Sequence, residues 1–425
     1  MTGQYNLVLI GIDTLRADHL SCYGYHRNTS PNIDKLAQES MLFKNCFSQS
    51  QRTAPAFMSI MSSLYPTFHG VMANISQKGR AWQIQRKAKT LAEIMKDAGY
   101  ATAAFTEDAM LFPEIGFSKG FDIYSTTPHP LSRPENHPLV KWILSKQSDR
   151  FFVFFHTYAP HSPYLPPEPY IDMYDKNYNG AIPRSFEELS KLNTTFYNLM
   201  KKLKSDEKEV ERLKALYDSS INYVDSFIGW LITFLKAKKL MEKTVVVFTS
   251  DHGEEFMEHG GLYHKKFYDE ILRVPLMIRL PKSEKSGVTE QIVRSIDIAP
   301  TVLDFLQIKI PDMFQGESLL EACEKNLGLI APAEYAYSSA LRTSHYKYIF
   351  HAAGKSKNAP ETELYNVALD PEEKENMSDV SPQLVERLHF ELNEELTKKN
   401  LPRPPHTIFY IAGKKTVQRI KNFIN

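Results

Sequence analysis

Residues 6–13 read NLVLIGID, an apolar run that begins at Asn6 and leads into Asp13. A run of this kind is typical of a strand that is buried on both faces of a parallel sheet. Asp13 would then follow the carboxyl end of the strand, where ligand crevices of open α/β sheets form. A single aspartate after a strand is more often a loop cap than a ligand, so its role depends on what else reaches the same edge.

Residues 244–253 repeat this pattern, because the apolar run TVVVFTS leads directly into Asp251, His252 and Gly253. Gly253 allows a tight turn that aims the two preceding side chains out of the sheet. Carboxylate and imidazole ligands suit a divalent cation. We therefore predict one divalent metal ion, held by Asp13, Asp251 and His252. The residues leave its identity open among Mn, Zn, Mg and Ca, although the imidazole fits Mn or Zn somewhat better than Ca.

Residues 52–66 read RTAPAFMSIMSSLYP and predict a helix that runs from Thr53 to Tyr65, where Pro66 stops it. A hydroxyl at a helix N-terminus lies beside free backbone N–H groups and the positive end of the helix dipole, which attract anions. Threonine is also a favoured N-cap residue. From these residues alone, a reactive hydroxyl and an ordinary helix cap are equally good interpretations of Thr53.

Strand and helix patterns alternate over roughly the first 300 residues, which is typical of a doubly wound α/β domain. We expect a large, mixed but mostly parallel sheet flanked by helices in residues 1–316, with a polar helical surface insertion at 182–215. Predicted strands cover 6–12, 41–47, 100–105, 151–156, 244–249 and 276–280. Predicted helices cover 33–40, 53–65, 90–99, 209–236 and 296–306.

The pattern changes after about Gly316, where short apolar segments predict antiparallel strands and then a helix. These segments are 335–339, 345–350, 364–367 and the helix 382–398. They predict a smaller C-terminal α+β subdomain over residues 317–400. Residues 401–425 form a basic tail, with two interpretations: a solvated docking helix, or a segment attracted to an anionic surface.

The totals exclude several classes of protein. The 51 basic and 50 acidic residues balance, so no nucleic-acid partner is indicated. Cys22, Cys46 and Cys323 are too widely spaced for a disulfide framework or a zinc cluster. No apolar run is long enough to span a bilayer, and no leader precedes the first strand. We expect a soluble, cytoplasmic protein without a membrane span; the oligomeric state stays open, a homo-oligomer included.

Taken together, these segments resemble the sulfatase family of the alkaline-phosphatase-like superfamily. The segments in family order are NLVLIGIDTLRADHLSCYGY, TAPAFMSIMSSLYPTFHGV, FFVFFHTYAPHSPYLPP, TSDHGEEFMEHGGLYHKKFYDEILRVPLMIRLP, SIDIAPTVLDFL and LRTSHYKYIF. The resemblance implies a metal-dependent hydrolase of ester bonds, with its nucleophile at the start of the second segment. It also implies that Asp13 is the first metal carboxylate.

The nucleophile segment departs from the family pattern. In ordinary sulfatases the helix begins Cys/Ser-x-Pro-x-Arg, and its first residue is oxidised to formylglycine. Here Pro55 is kept, so Thr53 takes the nucleophile position and Phe57 takes the arginine position. Threonine carries a secondary hydroxyl, so oxidation could give only a ketone. The chain resembles a threonine-nucleophile variant that lacks the formylglycine motif.

A threonine nucleophile favours phosphorus over sulfur as the central atom. Thr53 resembles the metal-bound threonine of the superfamily's phosphodiesterases and its phosphoglycerol and phosphoethanolamine transferases, whose phosphothreonine is discharged by water or an acceptor. A sulfated threonine lacks the hemiacetal route that releases sulfate from formylglycine. We predict hydrolysis of a phosphodiester, phosphonate or phosphomonoester. The alternatives are a sulfuric ester hydrolase without formylglycine, and a transferase or non-catalytic binding homologue.

The resemblance also assigns the remaining site residues. With Thr14 in place of a second aspartate, the Thr53 oxygen becomes the fourth metal ligand. His161 matches the substrate histidine, which contacts the transferred group or protonates the leaving oxygen. His264 and Lys265 both lie where the family places the leaving-group contact, and the sequence does not separate them.

Three further residues have weaker assignments. Asp108 is either an additional ligand or a loop aspartate, His156 is treated as a strand residue, and Arg16 as a partner of the metal ligands. The substrate is expected to be a small molecule, or an ester of a glycan or lipid headgroup. The loops that would select it carry no recognisable motif.

Overall fold

The computed structural model of the protein describes residues 5–74, 82–107, 110–192, 194–281, 286–322, 324–335, 338–351 and 361–398. Its strands are β1 (Asn6–Ile12), β2 (Met41–Phe47), β3 (Ala101–Phe105), β4 (Ile123–Ser125), β5 (Phe151–Thr157), β6 (Thr244–Ser250), β7 (Glu255–Phe256), β8 (Leu262–Tyr263), β9 (Arg273–Arg279), β10 (Gly287–Arg294), β11 (Ala331–Tyr335), β12 (Ser338–Arg342), β13 (Tyr346–His351) and β14 (Thr362–Asn366). Its α-helices are α1 (Pro31–Gln38), α2 (Thr53–Ser62), α3 (Pro66–His69), α4 (Leu91–Asp97), α5 (Pro138–Ser145), α6 (Phe186–Lys191), α7 (Phe196–Leu203), α8 (Glu207–Ala237), α9 (Asp269–Leu272), α10 (Ile298–Phe305) and α11 (Pro382–Thr397).

The main sheet has eight strands within the described residues, in the order β10-β2-β9-β6-β1-β5-β3-β4. β9 runs antiparallel to both of its neighbours, β2 and β6, and the other pairs are parallel. Helices cover both faces. The expected mixed, mostly parallel sheet is therefore confirmed.

β1 lies near the middle of this sheet, and all seven of its residues are buried. It pairs in parallel with β5 on one side and β6 on the other, so that Ile12 lies opposite both Thr157 and Ser250. The backbone N–H of Asp13 donates to the Thr157 carbonyl (3.1 Å). The residues that follow these three strands consequently meet at one edge of the sheet.

The two faces of the sheet have separate apolar cores. One core packs α2, α4 and α10 on the sheet, and the other packs α1, α5 and the long helix α8. The segment 182–215 is less peripheral than its polar composition predicts, because Ile182, Phe196 and Met200 are buried in the second core.

A four-stranded antiparallel sheet, β11-β12-β13-β14, follows the main sheet. Helix α11 contributes Leu388, Leu392 and Leu396, one helical turn apart, to the adjoining core. This confirms the expected C-terminal α+β unit. The predicted strand at 335–339 instead spans the end of β11 and the start of β12, with residues 336 and 337 outside the described ranges.

Besides the short elements β4, β7, β8, α3 and α9, two longer ones were not predicted from the sequence. β10 lies at the edge of the main sheet and reads GVTEQIVR, with Val288 59% exposed, so its pattern is too polar to indicate a strand of the core. Helix α5 is the other. Among the described residues, no helix is long and apolar enough to cross a membrane. The basic tail and Cys323 lie outside the described ranges.

Asp225 connects α8 to α1 on one face of the main sheet, and its replacement tests how strongly it holds α1. This buried carboxylate of α8 accepts hydrogen bonds from the backbone N–H groups of Asn32 (2.9 Å) and Ile33 (2.8 Å), at the start of α1. The N-cap residue Ser30 makes no side-chain cap. We expect Asp225→Ala to lower the free energy of unfolding by about 2 kcal/mol, because both donors lose their partner.

The measurement is urea unfolding at a pH well above 6, since burial raises the pKa of Asp225 to about 6 and the carboxylate should be ionised. The exposed Asp379 is the matched control, and Asp379→Ala should leave the unfolding midpoint in place. Equal midpoints for the two variants would show that Asp225 does not anchor α1.

Candidate active site

Asp13, Asp251 and His252 meet at the edge of the main sheet where β1 and β6 end. All three side chains are completely buried, and one ligand atom from each lies within 4.8 Å of the others. The Oδ2 atom of Asp251 is 3.3 Å from Nε2 of His252. The structure thus brings together the three side chains that the sequence predicts as metal ligands.

Some polar atoms of this cluster have hydrogen-bond partners, and others have none. Asp251 Oδ1 accepts a hydrogen bond from the backbone of Thr14 (3.0 Å), and His252 Nδ1 lies 2.9 Å from the Gly253 carbonyl, to which it donates. Both carboxylate oxygens of Asp13, Oδ2 of Asp251 and Nε2 of His252 are buried without a partner. Buried acceptors without partners are rare, and a divalent cation would satisfy all of them. The donor set therefore fits such an ion.

Local backbone geometry places Asp251 and His252. A Cβ atom on Gly253 would lie 2.1 Å from the carbonyl oxygen of Glu270, so the turn admits no side chain there. The Gly253 N–H donates to the Ile271 carbonyl (2.6 Å), which fastens the turn. The chain bends at Asp251, and the glycine allows this close approach to the Glu270 backbone without a left-handed conformation.

Burial dominates the electrostatics of the cluster. It raises the pKa of Asp13 well above its usual range, with further contributions from Asp251 and Glu254, and it raises the pKa of Asp251 to about 6. It lowers the pKa of His252 to about 3, which keeps the imidazole neutral and able to act as a ligand. A bound cation would offset the repulsion between the gathered carboxylates.

Thr53 is the first helical residue of α2 and is 3% exposed. The N-cap is Arg52, whose side chain accepts no hydrogen bond, so the interpretation of Thr53 as an ordinary cap is wrong. The Ala54 N–H in the first turn is satisfied instead by the Asn74 side chain (3.0 Å). The helix ends at Ser62 and not at Tyr65, because the next residue adopts a left-handed conformation (φ 51°).

Phe57 holds the first turn of α2 against the ends of β1 and β5. Its ring lies perpendicular to that of His156, with centroids 5.0 Å apart, and it fills the space that a side chain at Gly11 would need. His156 Nε2 is in turn 3.6 Å from Oδ2 of Asp13. This chain of contacts links α2 to the edge that carries the metal ligands, and Thr53 lies about one helical turn before Phe57.

His156 is a site residue that sequence reasoning missed. It is completely buried, neither ring nitrogen has a partner, and burial lowers its pKa to about 3. The sequence predicts a strand residue at this position, and His156 does lie within β5. The available signal was its position near the end of β5, on the strand that neighbours the one leading to Asp13.

His161 lies in the proline-rich loop after β5, between the cis peptide bonds Ala159–Pro160 and Ser162–Pro163. Its ring stacks on that of Tyr158 at 4.2 Å, and Nδ1 lies 2.8 Å from the Ser162 carbonyl. Burial lowers its pKa to about 4. The ring is therefore neutral at pH 7 and held in one orientation.

His264 and Lys265, which the sequence could not separate, point to different places. The ring centroid of His264 lies 4.3 Å from that of His252 and 5.3 Å from that of His161. The Lys265 ammonium instead donates to the exposed hydroxyl of Tyr197 (3.0 Å). The structure brings His264, and not the Lys265 ammonium, to the metal cluster.

Glu254 is a second residue that sequence reasoning missed. Its Oε1 lies 3.2 Å from Nδ1 of His264, and its Oε2 accepts a hydrogen bond from Tyr164 (2.8 Å). Burial raises the pKa of Glu254 to about 8. It fixes the ring of His264, and its signal was its place directly after the Asp-His-Gly turn.

Two other expectations concern the surroundings of the ligands. Arg16 donates to the Glu254 carbonyl (2.9 Å) and forms ion pairs with Asp18 and Glu258, so it supports the turn that carries the ligands. Asp108 lies outside the described residues.

A second acidic group elsewhere, Glu255, His259 and Glu270, has the spacing of a metal cluster. Its charges already have partners, because Lys266 lies 3.1 Å from Glu255 and His259 Nδ1 lies 2.8 Å from Glu270. In this group only Glu255 Oε2 is buried without a partner, whereas the first cluster has four such acceptors.

Comparisons with known proteins match both the fold and the order of these segments. The Sulfatase family profile matches residues 5–308, and the profile described as N-sulphoglucosamine sulphohydrolase, C-terminal, matches residues 257–401. The N-acetylglucosamine-6-O-sulfatase of Bacteroides thetaiotaomicron is 23% identical, over 88% of this chain and 83% of its own.

Two solved structures are similar throughout. A protein in complex with its substrate D-glucosamine-2-N,6-O-disulfate superposes with a TM-score of 0.77 at 20% identity, covering 93% of this chain and 98% of that one. The phosphonate monoester hydrolase of Agrobacterium radiobacter has a TM-score of 0.74 at 22% identity, covering 93% of this chain and 96% of its own.

The metal cluster predicts a measurable affinity. We expect the protein, stripped with a chelator and titrated with Mn²⁺ in a calorimeter, to bind one ion per chain. Asp251→Asn should weaken binding by more than about 100-fold, because it removes the charge of one ligand while keeping its shape. The exposed Asp379→Asn should bind as the wild type does, whereas wild-type affinity in Asp251→Asn would show that the ion is held elsewhere.

Proposed function

Given that the chain belongs to the sulfatase family, whose members hydrolyse sulfuric or phosphoric esters, we propose that it cleaves a phosphodiester, phosphonate or phosphomonoester through a covalent intermediate on Thr53. The observation that carries this proposal is an encoded threonine on the first turn of α2, with Phe57 in place of the family's arginine. The domain limits proposed with it are 1–316 for the catalytic unit and 317–400 for the C-terminal unit.

The surroundings of Thr53 support its use without modification. Phe57, which replaces the arginine of the formylglycine motif, is completely buried and packs on His156 and the Gly11 backbone. No cationic side chain can therefore occupy that place. The secondary hydroxyl of Thr53 also cannot be oxidised to an aldehyde, so the reaction needs a hydroxyl nucleophile.

The reaction then proceeds in two displacements. The Thr53 oxygen forms a bond to phosphorus and gives up its proton to solvent, while the bond from phosphorus to the leaving oxygen breaks. His264 supplies its Nε2 proton to the leaving oxygen while its Nδ1 takes the proton of the Glu254 carboxyl, which solvent then restores. Water then hydrolyses the phosphothreonine and restores the hydroxyl. A divalent cation held by Asp13, Asp251 and His252 would lower the pKa of the attacking hydroxyl and offset negative charge.

The tautomer of His264 follows from its partners. Glu254 lies against Nδ1, so Nε2 is the ring atom left for the substrate. His161 donates its Nδ1 proton to the Ser162 carbonyl, so the Nε2 of the neutral ring is an acceptor, 3.5 Å from the Tyr158 hydroxyl. Of the two neutral rings, His264 can therefore present an N–H group to the leaving oxygen, and His161 presents an acceptor.

A sulfuric ester is the second candidate substrate, and the comparisons favour it. The curated relative acts on a 6-O-sulfated sugar by its name, and one similar structure contains a disulfated glucosamine. The phosphonate monoester hydrolase is as similar in fold. We rank phosphorus first because a sulfated threonine has no elimination route, whereas water can attack a phosphothreonine directly.

A transferase or a non-catalytic binding protein fits less well. Asp13, Asp251 and His252 carry buried acceptors without partners, and such acceptors cost stability when no cation is bound. A protein without catalytic activity would gain nothing from them. Water can reach a hydrolase intermediate without a dedicated acceptor site, so hydrolysis needs the fewest additional features. The proposed substrate is a small molecule, or an ester of a glycan or lipid headgroup.

Replacing Thr53 tests the nucleophile. With metal-loaded protein and an aryl phosphodiester, we expect Thr53→Ala to lower kcat by at least about 10³-fold, because the attacking atom is lost. Thr53→Ser should keep measurable turnover, because a primary hydroxyl can attack in its place. The kcat values for aryl phosphonate, phosphomonoester and sulfate esters, assayed in parallel, show whether the enzyme prefers phosphorus or sulfur as the atom under attack.

Two results would contradict the proposal. Wild-type turnover by Thr53→Ala would remove Thr53 as the nucleophile. Faster hydrolysis of the sulfate ester than of every phosphorus ester would reverse the ranking of substrates.

His264 and Lys265 are separated by a paired substitution. We expect His264→Ala to lower kcat by about 10²- to 10⁴-fold, because the ring lies in the site and can supply the proton to the leaving group. Lys265→Ala should change kcat less than about tenfold, since its ammonium is bonded to Tyr197 at the surface. The opposite order, in steady-state assays of the same ester, would assign the leaving-group contact to Lys265.

A further inference from the structure

The charge balance of the site leaves the transferred group without a counter-ion. Two ligating carboxylates, Asp13 and Asp251, neutralise a divalent cation. A phosphate oxyanion therefore needs positive charge from another residue.

Arg52 is placed to provide that charge. It immediately precedes Thr53, and its backbone is extended (φ −138°, ψ 141°) where α2 begins. Its side chain is half-buried, and its Nε is buried without a hydrogen-bond partner. Within the described ranges, no carboxylate lies at ion-pair distance from Arg52. Arg52 thus carries a charge next to the proposed nucleophile in the chain, and the described residues provide no counter-ion for it.

The Arg52 side chain is held in place by the C-terminal unit. Its guanidinium carbon lies 5.3 Å from the ring centre of Tyr335, at the end of β11. A guanidinium over an aromatic face is attracted to the ring, and the N–H groups in the guanidinium plane stay available to other partners. The contact therefore orients the charge without neutralising it.

Electrostatic effects agree with this placement. After burial, the charge of Arg52 is among the causes that lower the pKa of His161, His252 and His264. It also opposes the effect of burial on the pKa of Glu254. The guanidinium is consequently within electrostatic reach of all four groups around the site.

The other cations nearby are already engaged. Arg16 forms ion pairs with Asp18 (2.7 Å) and Glu258 (2.6 Å). The Lys265 ammonium is bonded to Tyr197 at the surface. Neither leaves an open charge facing the metal cluster, which distinguishes both from Arg52.

We propose that Arg52 binds the transferred oxyanion. Arg52 then supplies the positive charge that is missing at Phe57, where the family has an arginine. Its planar fork matches two oxygens of a phosphate, and such charge-assisted hydrogen bonds are among the strong ones. The inference deepens the proposed function, because it names the group that holds the phosphoryl oxygens at the same site.

Inorganic phosphate is the probe, titrated into metal-loaded protein in a calorimeter. Arg52→Met keeps the length of the side chain and removes its charge, and we expect it to weaken phosphate binding by about 10- to 100-fold. Arg52→Lys keeps the charge but not the fork, so its affinity should lie between the two. Arg387→Met, which changes an exposed arginine of α11, should bind as the wild type does.

Wild-type phosphate affinity in Arg52→Met would overturn the inference, provided that its melting temperature and Mn²⁺ affinity match those of the wild type. Arg52→Lys serves if the methionine variant fails to fold, and unchanged affinity there with unchanged kcat would also overturn it. This test is independent of the proposed function, because phosphate binding needs no nucleophile. Failure of the proposed function would appear instead as turnover by Thr53→Ala.

Discussion

The register of three parallel strands is the constraint on which the rest of the site depends. Ile12 of β1 lies opposite Thr157 of β5 and Ser250 of β6, so the next residues, Asp13 and Asp251, emerge side by side at one edge. A slip of one residue would turn every side chain of a strand to the other face. Burial of β1 on both faces makes such a slip costly, and this rigidity is what holds the ligands together.

Charge explains why the site has its particular composition. The edge gathers buried carboxylates, whose pKa values rise because burial disfavours their charged forms, and buried histidines, whose pKa values fall for the same reason. A divalent cation and an oxyanion complete the balance, with Arg52 as the remaining formal charge. Phe57 contributes packing alone, and the proposed nucleophile Thr53 lies between Arg52 and Phe57 in the chain.

The sequence predicted what depends on periodicity and chain order. The buried strands, the expected metal ligands after two of them and the position of Thr53 all follow local patterns. It did not predict His156 or Glu254, or separate His264 from Lys265, because these depend on which way a side chain turns after packing. The edge strand β10 was not predicted either, because the polar residues at its exposed positions interrupt the apolar pattern.

The central claim is that Thr53 is used as encoded and carries the transferred group. The most direct test is mass spectrometry of the tryptic peptide that begins at Thr53, from protein quenched in acid during turnover of an aryl phosphodiester. We predict an unmodified threonine in resting protein and a phosphorylated Thr53 in the quenched sample. An oxidised residue at position 53 in resting protein, or an adduct on any other residue of the peptide, would contradict the account.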